Sequence, residues 1–136
     1  MNAVDTNVLF YVHDPRDAAK RVVAATLVES LSDGVLLWQV ACEYLAASRK
    51  LEPLGYSRAQ AWQYIRELQD AWATLPPTWE VLERAEYLLD RYSLSSWDAL
   101  LIAACLEGHI TRLYSEDFDT SVQAEGIEIV NPFAVP

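Results

Sequence analysis

The sequence predicts an α/β protein with a mainly parallel central sheet and helices on both faces, a three-layer α/β/α sandwich. Short apolar segments typical of buried strands alternate along the chain with longer segments that have helical spacing. Strands separated by helices pair in parallel through right-handed crossovers, which place helices on both sides of the sheet. At 136 residues, the chain is expected to form a single domain, residues 1–136.

Short runs of apolar residues predict the strands. Each run is too short for a helix and is bounded by polar residues or glycine, as expected of strands buried on both faces. Asp5 lies at the carboxyl end of the first predicted strand, inside an otherwise apolar stretch. The predicted strands span residues 3–5, 35–38, 110–115 and 127–130.

The segments between these strands have the spacing of helices with an apolar face. Thr6 and Ser57 are expected to cap the first and fourth, and Ser95 precedes the sixth. Pro53 and the Pro76–Pro77 pair mark the ends of the third and fourth. The sixth is apolar almost all round, which indicates a central position. The predicted helices span residues 6–11, 16–31, 40–50, 57–73, 79–91 and 97–108.

The composition favours a packed globular protein of the cytoplasm. Hydrophobic residues make up 52% of the chain, and we expect most of the five tryptophans to lie in the core. No apolar run approaches the ~18 residues of a membrane span, and no secretion signal precedes the first strand. Cys42 and Cys105 lie in apolar helical patterns without a CxxC motif, which predicts buried free thiols in a reducing compartment.

The net charge of −10 excludes a broad basic surface for a phosphate backbone. A nucleic-acid-binding protein of this composition would need local basic positions or bridging metal ions. Lysines and arginines suited to flanking phosphates occur in two short groups; they are Arg16, Lys20 and Arg21, and Arg49 and Lys50. The excess of acidic residues is also compatible with a basic partner.

Four carboxylates occupy positions where such a fold could bring them together: Asp5, Glu43, Asp98 and Asp117. In open α/β sheets, ligands bind outside the carboxyl ends of the strands. Each acid also has an ordinary interpretation, as a turn or helix cap, a solvated helix face or a loop residue. If the four converge, their repulsion requires a cation, and an oxygen-only set favours Mg²⁺ or Mn²⁺ over zinc.

Several motifs together resemble the PIN-domain proteins, and more narrowly the VapC-type toxins of bacterial toxin–antitoxin modules. They are VDTNVL at the start, SSWDALLIAACLEGH, LYSEDFD and GIEIVNPF towards the end, and a helical Glu43 between them. The resemblance extends from Asp5 to Phe133. It implies a PIN-like α/β/α sandwich and a metal-dependent ribonuclease whose acidic pocket contains Asp5, Glu43, Asp98 and Asp117.

The resemblance also implies supporting residues around that pocket. Thr6, Asn7 and Ser115 match positions that support it by hydrogen bonding, and Asp119 is a candidate for an additional ligand. The segment FDTSVQAEG departs from the common pattern of the family, so Glu116 stays open as an alternative to Asp117. Asp117 is favoured because it stands two residues after Ser115, as the family's acid stands after its serine or threonine.

The function implied by the resemblance is Mg²⁺- or Mn²⁺-dependent hydrolysis of RNA by a homodimeric toxin, silenced by an antitoxin that lies across the acidic cleft. Two alternatives keep the fold: an RNA-processing nuclease without a toxin role, and an inactive PIN-like interaction module. A phosphoacceptor receiver domain is disfavoured because Asp5 stands alone and the last lysine is Lys50. The sequence offers neither a Ser-His-Asp set nor a Gly-rich phosphate loop.

Overall fold

A computed structural model, which describes residues 1–134, confirms the predicted α/β class. One five-stranded sheet has the order β3-β2-β1-β4-β5, and all neighbouring strands pair in parallel. The most central strand is therefore the first in the chain. The strands are β1 (Asn2–Val4), β2 (Gly34–Leu37), β3 (Ala73–Leu75), β4 (Arg112–Tyr114) and β5 (Glu128–Val130).

Six α-helices connect and cover these strands, and their positions agree with the sequence prediction to within a few residues. Two 3-10 segments, Ser48–Leu54 and Thr120–Glu125, follow the third helix and the fourth strand. The helices are α1 (Thr6–Val12), α2 (Ala18–Ser30), α3 (Trp38–Ala47), α4 (Arg58–Ala71), α5 (Trp79–Arg91) and α6 (Ser96–Glu107).

Two predicted boundaries are wrong. The sequence predicts that the fourth helix reaches residue 73, but α4 ends at Ala71 and the chain continues as β3, an edge strand that pairs with β2. Its short Ala-Thr-Leu sequence is largely exposed and shows no apolar alternation, so only its partner strand defines it. The sequence also predicts that the second strand includes Trp38, whereas Trp38 is the first residue of α3.

The helix caps come partly from the expected residues. Ser57 caps α4 in a full capping box with Gln60, and the Ser95 hydroxyl accepts a hydrogen bond from the Asp98 amide at 3.1 Å. At α1 the cap is Asp5 instead of Thr6, because an Asp5 oxygen accepts a bond from the Thr6 amide at 2.7 Å. Asp5 thus combines the role of a cap with its position after the central strand.

The core lies on both faces of the sheet, and α6 contributes to it from most of its circumference, as its composition predicts. Its buried side chains are Ala99, Leu101, Ile102, Ala103 and Cys105. On the other side of β2, Trp72 packs directly over Gly34, where a β-carbon would lie 2.3 Å from the indole ring. This close approach explains the glycine at the start of β2.

The prediction that most tryptophans are buried is wrong. Only Trp72 lies in the core, and Cys42, also expected to be buried, is exposed. Burial was inferred from composition, but an aromatic side chain can equally cover a surface that meets another molecule. The exposed fractions of the other four are 56% for Trp38, 49% for Trp62, 79% for Trp79 and 67% for Trp97.

A cluster of aromatic side chains joins the end of α1 to α3 and α4. The His13 ring stacks on Tyr56 with centroids 4.3 Å apart, and its Nδ1 lies 3.1 Å from the Tyr44 hydroxyl. Burial lowers the pKa of His13 to about 4, so the ring is neutral at physiological pH. His13 is therefore a structural residue of this cluster.

None of the helices within residues 1–134 is long and apolar enough to cross a membrane.

Candidate metal-dependent active site

The candidate site lies where the strand order reverses. After β3 the chain returns to the other side of β1 to form β4, which makes the gap between β1 and β4 the switch point of the sheet. Asp5 follows β1 and Ser115 follows β4. The two strand ends are linked by the Ser115 hydroxyl, which donates to Asp5 Oδ2 at 2.8 Å, and by the Asp5 amide, which donates to the Tyr114 carbonyl at 2.8 Å.

Asp5 is held in one orientation in a largely buried setting. One carboxylate oxygen accepts the bond from the Thr6 amide and the other accepts the bond from Ser115. Burial raises the pKa of Asp5; the two hydrogen bonds oppose this, and the charges of Glu43 and Asp98 add to it. Within residues 1–134, no lysine, arginine or histidine forms an ion pair with this carboxylate.

Glu43 projects from α3 towards the same point and is also fixed at both oxygens. The Thr6 hydroxyl donates to Oε2 at 3.0 Å, and the Gln39 amide donates to Oε1 at 2.7 Å. The same Gln39 nitrogen donates to the carbonyl of Trp97 at 3.0 Å. Gln39, which the sequence did not single out, therefore links α3 to the start of α6.

Asp98 comes from the first turn of α6, beside the Trp97 carbonyl that Gln39 contacts. Burial raises the pKa of Asp98, the hydrogen bond with Ser95 lowers it, and the charge of Glu43 raises it further. The mutual effects on pKa place Asp5, Glu43 and Asp98 within electrostatic reach of one another. We refer to these three residues as the acid cluster.

The expected supporting residues lie around the acid cluster. Thr6 contacts Glu43, and Ser115 contacts Asp5 and is itself almost fully buried. Asn7 donates to the Ser115 hydroxyl at 3.3 Å and accepts from the Glu116 amide at 3.3 Å. These contacts hold the end of β4 against the start of α1, which fixes the orientation of Asp5.

Glu116 points away from the acid cluster towards α1 and α2. It forms an ion pair with Lys20 and accepts a hydrogen bond from the Tyr11 hydroxyl at 2.8 Å. Burial favours its neutral form, but Lys20 and Tyr11 outweigh burial and hold the pKa of Glu116 below its usual range. Lys20 is consequently engaged within the protein, contrary to its expected role at a flanking phosphate.

The other two carboxylates after β4 lie on the surface. Asp117 is exposed and is not among the charges that shift the pKa of Asp5 or Asp98. Asp119 caps the second 3-10 segment by accepting a bond from the Ser121 amide at 2.9 Å. The pKa values of Asp5 and Asp98 thus respond to charges among Asp5, Glu43 and Asp98 and not to Asp117, which is exposed on the loop after β4.

The donor chemistry of the acid cluster fits a hard divalent cation. Its members offer carboxylate oxygens, and burial raises the pKa of Asp5 and Asp98, an effect to which the nearby carboxylate charges add. Within residues 1–134, no three Asp, Glu, His or Cys side chains lie close enough to hold one ion directly. Mg²⁺ fits such a setting, because it usually binds through one or two carboxylates and retains several waters.

Comparison with solved structures shows the same fold in three bacterial structures, at low sequence identity. A toxin–antitoxin complex from Klebsiella pneumoniae is 18% identical, with a TM-score of 0.71 over 99% of this chain and 100% of that one. Mycobacterium tuberculosis VapC20, a toxin that cleaves the sarcin–ricin loop, is 21% identical, with a TM-score of 0.69 over 93% of this chain and 96% of that one. FitAcB from Neisseria gonorrhoeae is 16% identical, with a TM-score of 0.72 over 99% of this chain and 100% of that one.

The sequence itself also matches a known family. No curated protein matches the chain at a significant level. The model of the PIN domain matches residues 3–125, which include Asp5, Glu43, Asp98 and Asp117. The chain therefore belongs to the PIN-domain family.

Proposed function

We propose that the protein is a Mg²⁺-dependent endoribonuclease that acts as the toxin of a toxin–antitoxin pair, with Mn²⁺ as an alternative ion. The observation that carries the proposal is the acid cluster at the switch point of the sheet. Its carboxylates repel one another, and each is held in place by neighbouring residues instead of being paired with a cation. The electrostatic repulsion between the ionised carboxylates raises the free energy of this arrangement, and a bound divalent ion would lower it.

Asp5, Glu43 and Asp98 would hold the ion, directly or through its bound waters, and Asp117 would complete the set from the exposed loop after β4. A bound divalent ion would supply acidity to a water molecule and neutralise charge on the phosphate. In the hydrolysis, the oxygen of water bonds to phosphorus as the bond to the leaving oxygen breaks, and the leaving oxygen takes up a proton.

The residues of the chain orient these groups. Ser115 and the Thr6 amide fix Asp5, and the Thr6 hydroxyl and Gln39 fix Glu43. Among residues 1–134, Ser95 is the one hydrogen-bond partner of the half-buried Asp98 side chain, which leaves its carboxylate available to accept a proton from the attacking water.

The toxin role is supported by the likeness to a chain of the Klebsiella toxin–antitoxin complex and to the Mycobacterium toxin VapC20. We infer a cytoplasmic enzyme that forms a homodimer and is held inactive by an antitoxin. A net charge of −10 favours an antitoxin segment with basic side chains, one of which would lie near the acid cluster.

The test is cleavage of a structured RNA by the purified protein with Mg²⁺, with Mn²⁺ and with a chelator. We expect cleavage that requires the ion and that is lost in Asp5→Asn and Asp98→Asn. Cleavage at equal rates by the wild type and both variants would refute the assignment of the site. An absence of cleavage on every RNA tested, with a folded protein and added ions, would favour the inactive interaction module.

A second experiment separates a toxin from an RNA-processing nuclease. Expression in a bacterial host should arrest growth, and Asp98→Asn should abolish the arrest at an equal level of protein. Ion-dependent cleavage in vitro without growth arrest would favour the processing enzyme and leave the nuclease assignment intact.

A further inference from the structure

The side chain of Gln39 connects the two helices that carry Glu43 and Asp98. Gln39 is the second residue of α3, four positions before Glu43. Its amide nitrogen donates to Glu43 Oε1 at 2.7 Å and to the Trp97 carbonyl of α6 at 3.0 Å. A glutamine amide nitrogen has two hydrogens, so it can serve both acceptors at once. Among the described residues, no other hydrogen bond or ion pair joins α3 to α6.

The bond to Trp97 holds the backbone from which the Asp98 side chain extends. The Trp97 carbonyl and the Asp98 amide belong to one peptide group. This amide donates to the Ser95 hydroxyl at 3.1 Å, and this carbonyl accepts the bond from Gln39. Because the peptide group is held at both ends, the start of α6 is held in place relative to Glu43. Gln39 therefore sets the spacing between two members of the acid cluster.

The bond to Glu43 restricts how that carboxylate can bind an ion. Each of its oxygens already accepts one hydrogen bond, Oε2 from the Thr6 hydroxyl and Oε1 from Gln39. Both oxygens of Asp5 are occupied in the same way. Binding one ion through both oxygens of a carboxylate would compete with these hydrogen bonds. The acid cluster therefore suits an ion that takes one oxygen from a carboxylate and completes its shell with water.

Divalent ions differ in how well they fit this restriction. Mg²⁺ binds oxygens at about 2.1 Å and retains several waters, whereas Ca²⁺ binds roughly seven oxygens at about 2.4 Å and often takes both oxygens of a carboxylate. A larger ion would need a wider gap between α3 and α6 and a second oxygen from Glu43. The two hydrogen bonds of Gln39 oppose both changes.

We propose that Gln39 is a positioning residue that makes the acid cluster selective for Mg²⁺ over Ca²⁺. It acts through Glu43 and the start of α6 and does not itself bind the ion. This inference rests on the proposed function, because it requires that the acid cluster binds a divalent ion. It adds the residue that discriminates between two cations of equal charge.

The test measures displacement of Mn²⁺ by Mg²⁺ and by Ca²⁺ from the wild type, Gln39→Met and Gln63→Met, with free Mn²⁺ followed by electron paramagnetic resonance. Methionine is similar in length to glutamine and favours a helix but cannot donate a hydrogen bond, and circular dichroism checks the fold. Gln63 is a matched control, because it also donates to a glutamate four positions later, Glu67, but lies exposed on α4.

We expect Mg²⁺ to displace Mn²⁺ from the wild type and from Gln63→Met at a concentration about 10-fold or more below that required of Ca²⁺. In Gln39→Met, the ratio of the two displacing concentrations should fall by about 10-fold. A merely structural role of Gln39 would weaken the binding of both ions together and leave this ratio unchanged. That result would overturn the inference and leave the proposed function intact.

Two further outcomes would overturn the inference whatever the fold of the variant. One is displacement of Mn²⁺ from the wild type by Ca²⁺ at the same concentration as by Mg²⁺. The other is a wild type that binds no Mn²⁺, which would also overturn the proposed function. A fall of the ratio in Gln63→Met as large as that in Gln39→Met would likewise contradict a specific role of Gln39.

Discussion

The carboxylates of the acid cluster and those that follow β4 lie in opposite environments. The two groups are neighbours in the fold, because Asp5 is hydrogen-bonded to Ser115, the residue before Glu116. Asp5 and Asp98 have a raised pKa because they are buried beside other carboxylates. Glu116 and Asp119 have a lowered pKa because cations, hydroxyls or backbone amides bind their charged forms. Among the residues that the structure describes, the first group has no cationic partner and the second is satisfied within the protein, which distinguishes carboxylates suited to an external ion from those that stabilise the fold.

The largest expected difference between the two groups is in catalysis. Asp5→Asn should lower the rate of RNA cleavage by about 100-fold or more, because the amide keeps the shape but removes a charge that binds the ion. Glu116→Gln, the control, should change the rate by less than about threefold. Initial rates on a fluorescently labelled RNA measure both. Equal losses in the two variants would mean that the carboxylates after β4 belong to the same site.

Asp117 tests where the boundary between the groups lies. Asp117→Asn should reduce the rate by roughly 10-fold, since the exposed residue would act from the edge of the site. Asp119→Asn should have no effect, because the asparagine oxygen can still accept the bond from the Ser121 amide. The same assay compares the two variants. A loss of rate in Asp119→Asn as large as that in Asp117→Asn would mean that Asp119 also acts at the site.

The stability of the ion-free protein should change in opposite directions in the two groups. Asp98→Asn should raise the free energy of unfolding by about 0.5 kcal/mol, since it removes a repelling charge that is partly exposed to solvent. Glu116→Gln should lower it by a similar amount, since it leaves Lys20 without its partner. Urea unfolding in the presence of a chelator measures both changes. Destabilisation by Asp98→Asn would contradict stored repulsion in the acid cluster.

The smallest expected effect is the dependence of these differences on pH. The pKa of Asp98 is raised, so its stabilising contribution is present at low pH and is lost as the pH rises through that pKa. The gain in Asp98→Asn should therefore be absent near pH 4 and full at pH 7. The pKa of Glu116 is lowered, so its contribution exists above about 4.5 and is lost as the pH falls. Urea unfolding at several pH values measures both contributions to the free energy of unfolding. If the contributions of Asp98 and Glu116 changed with pH in the same direction, the proposed difference between the two groups of carboxylates would be refuted.

The fold could be predicted from the sequence because its signals are local. Serine caps, proline breaks and apolar periodicity located α4, α5 and α6 to within a few residues. The edge strand β3 could not be found this way, because three partly exposed residues carry no pattern of their own. The exposure of four tryptophans could not be predicted for a related reason, because composition alone does not determine which apolar side chains face the sheet and which face solvent.

The site was predicted less completely because its contacts join distant parts of the chain. The proximity of Asp5 to Glu43 and Asp98 follows from the parallel topology, which the sequence does indicate. The pairing of Glu116 with Lys20 and the bridge made by Gln39 depend on side-chain directions that spacing does not determine. The one local signal for Gln39 is its spacing, because residues four positions apart on a helix are neighbours and Gln39 stands four positions before Glu43.

The central claim is that the acid cluster binds a divalent ion because its carboxylates lack a counter-charge. Calorimetric titration of Mn²⁺ into the wild type, Asp98→Asn and Glu116→Gln tests this most directly, without requiring an RNA substrate. We expect saturable binding in the wild type and in Glu116→Gln, and an affinity weakened by about 10-fold or more in Asp98→Asn. Equal affinity in all three proteins, or no saturable binding to the wild type, would contradict the claim.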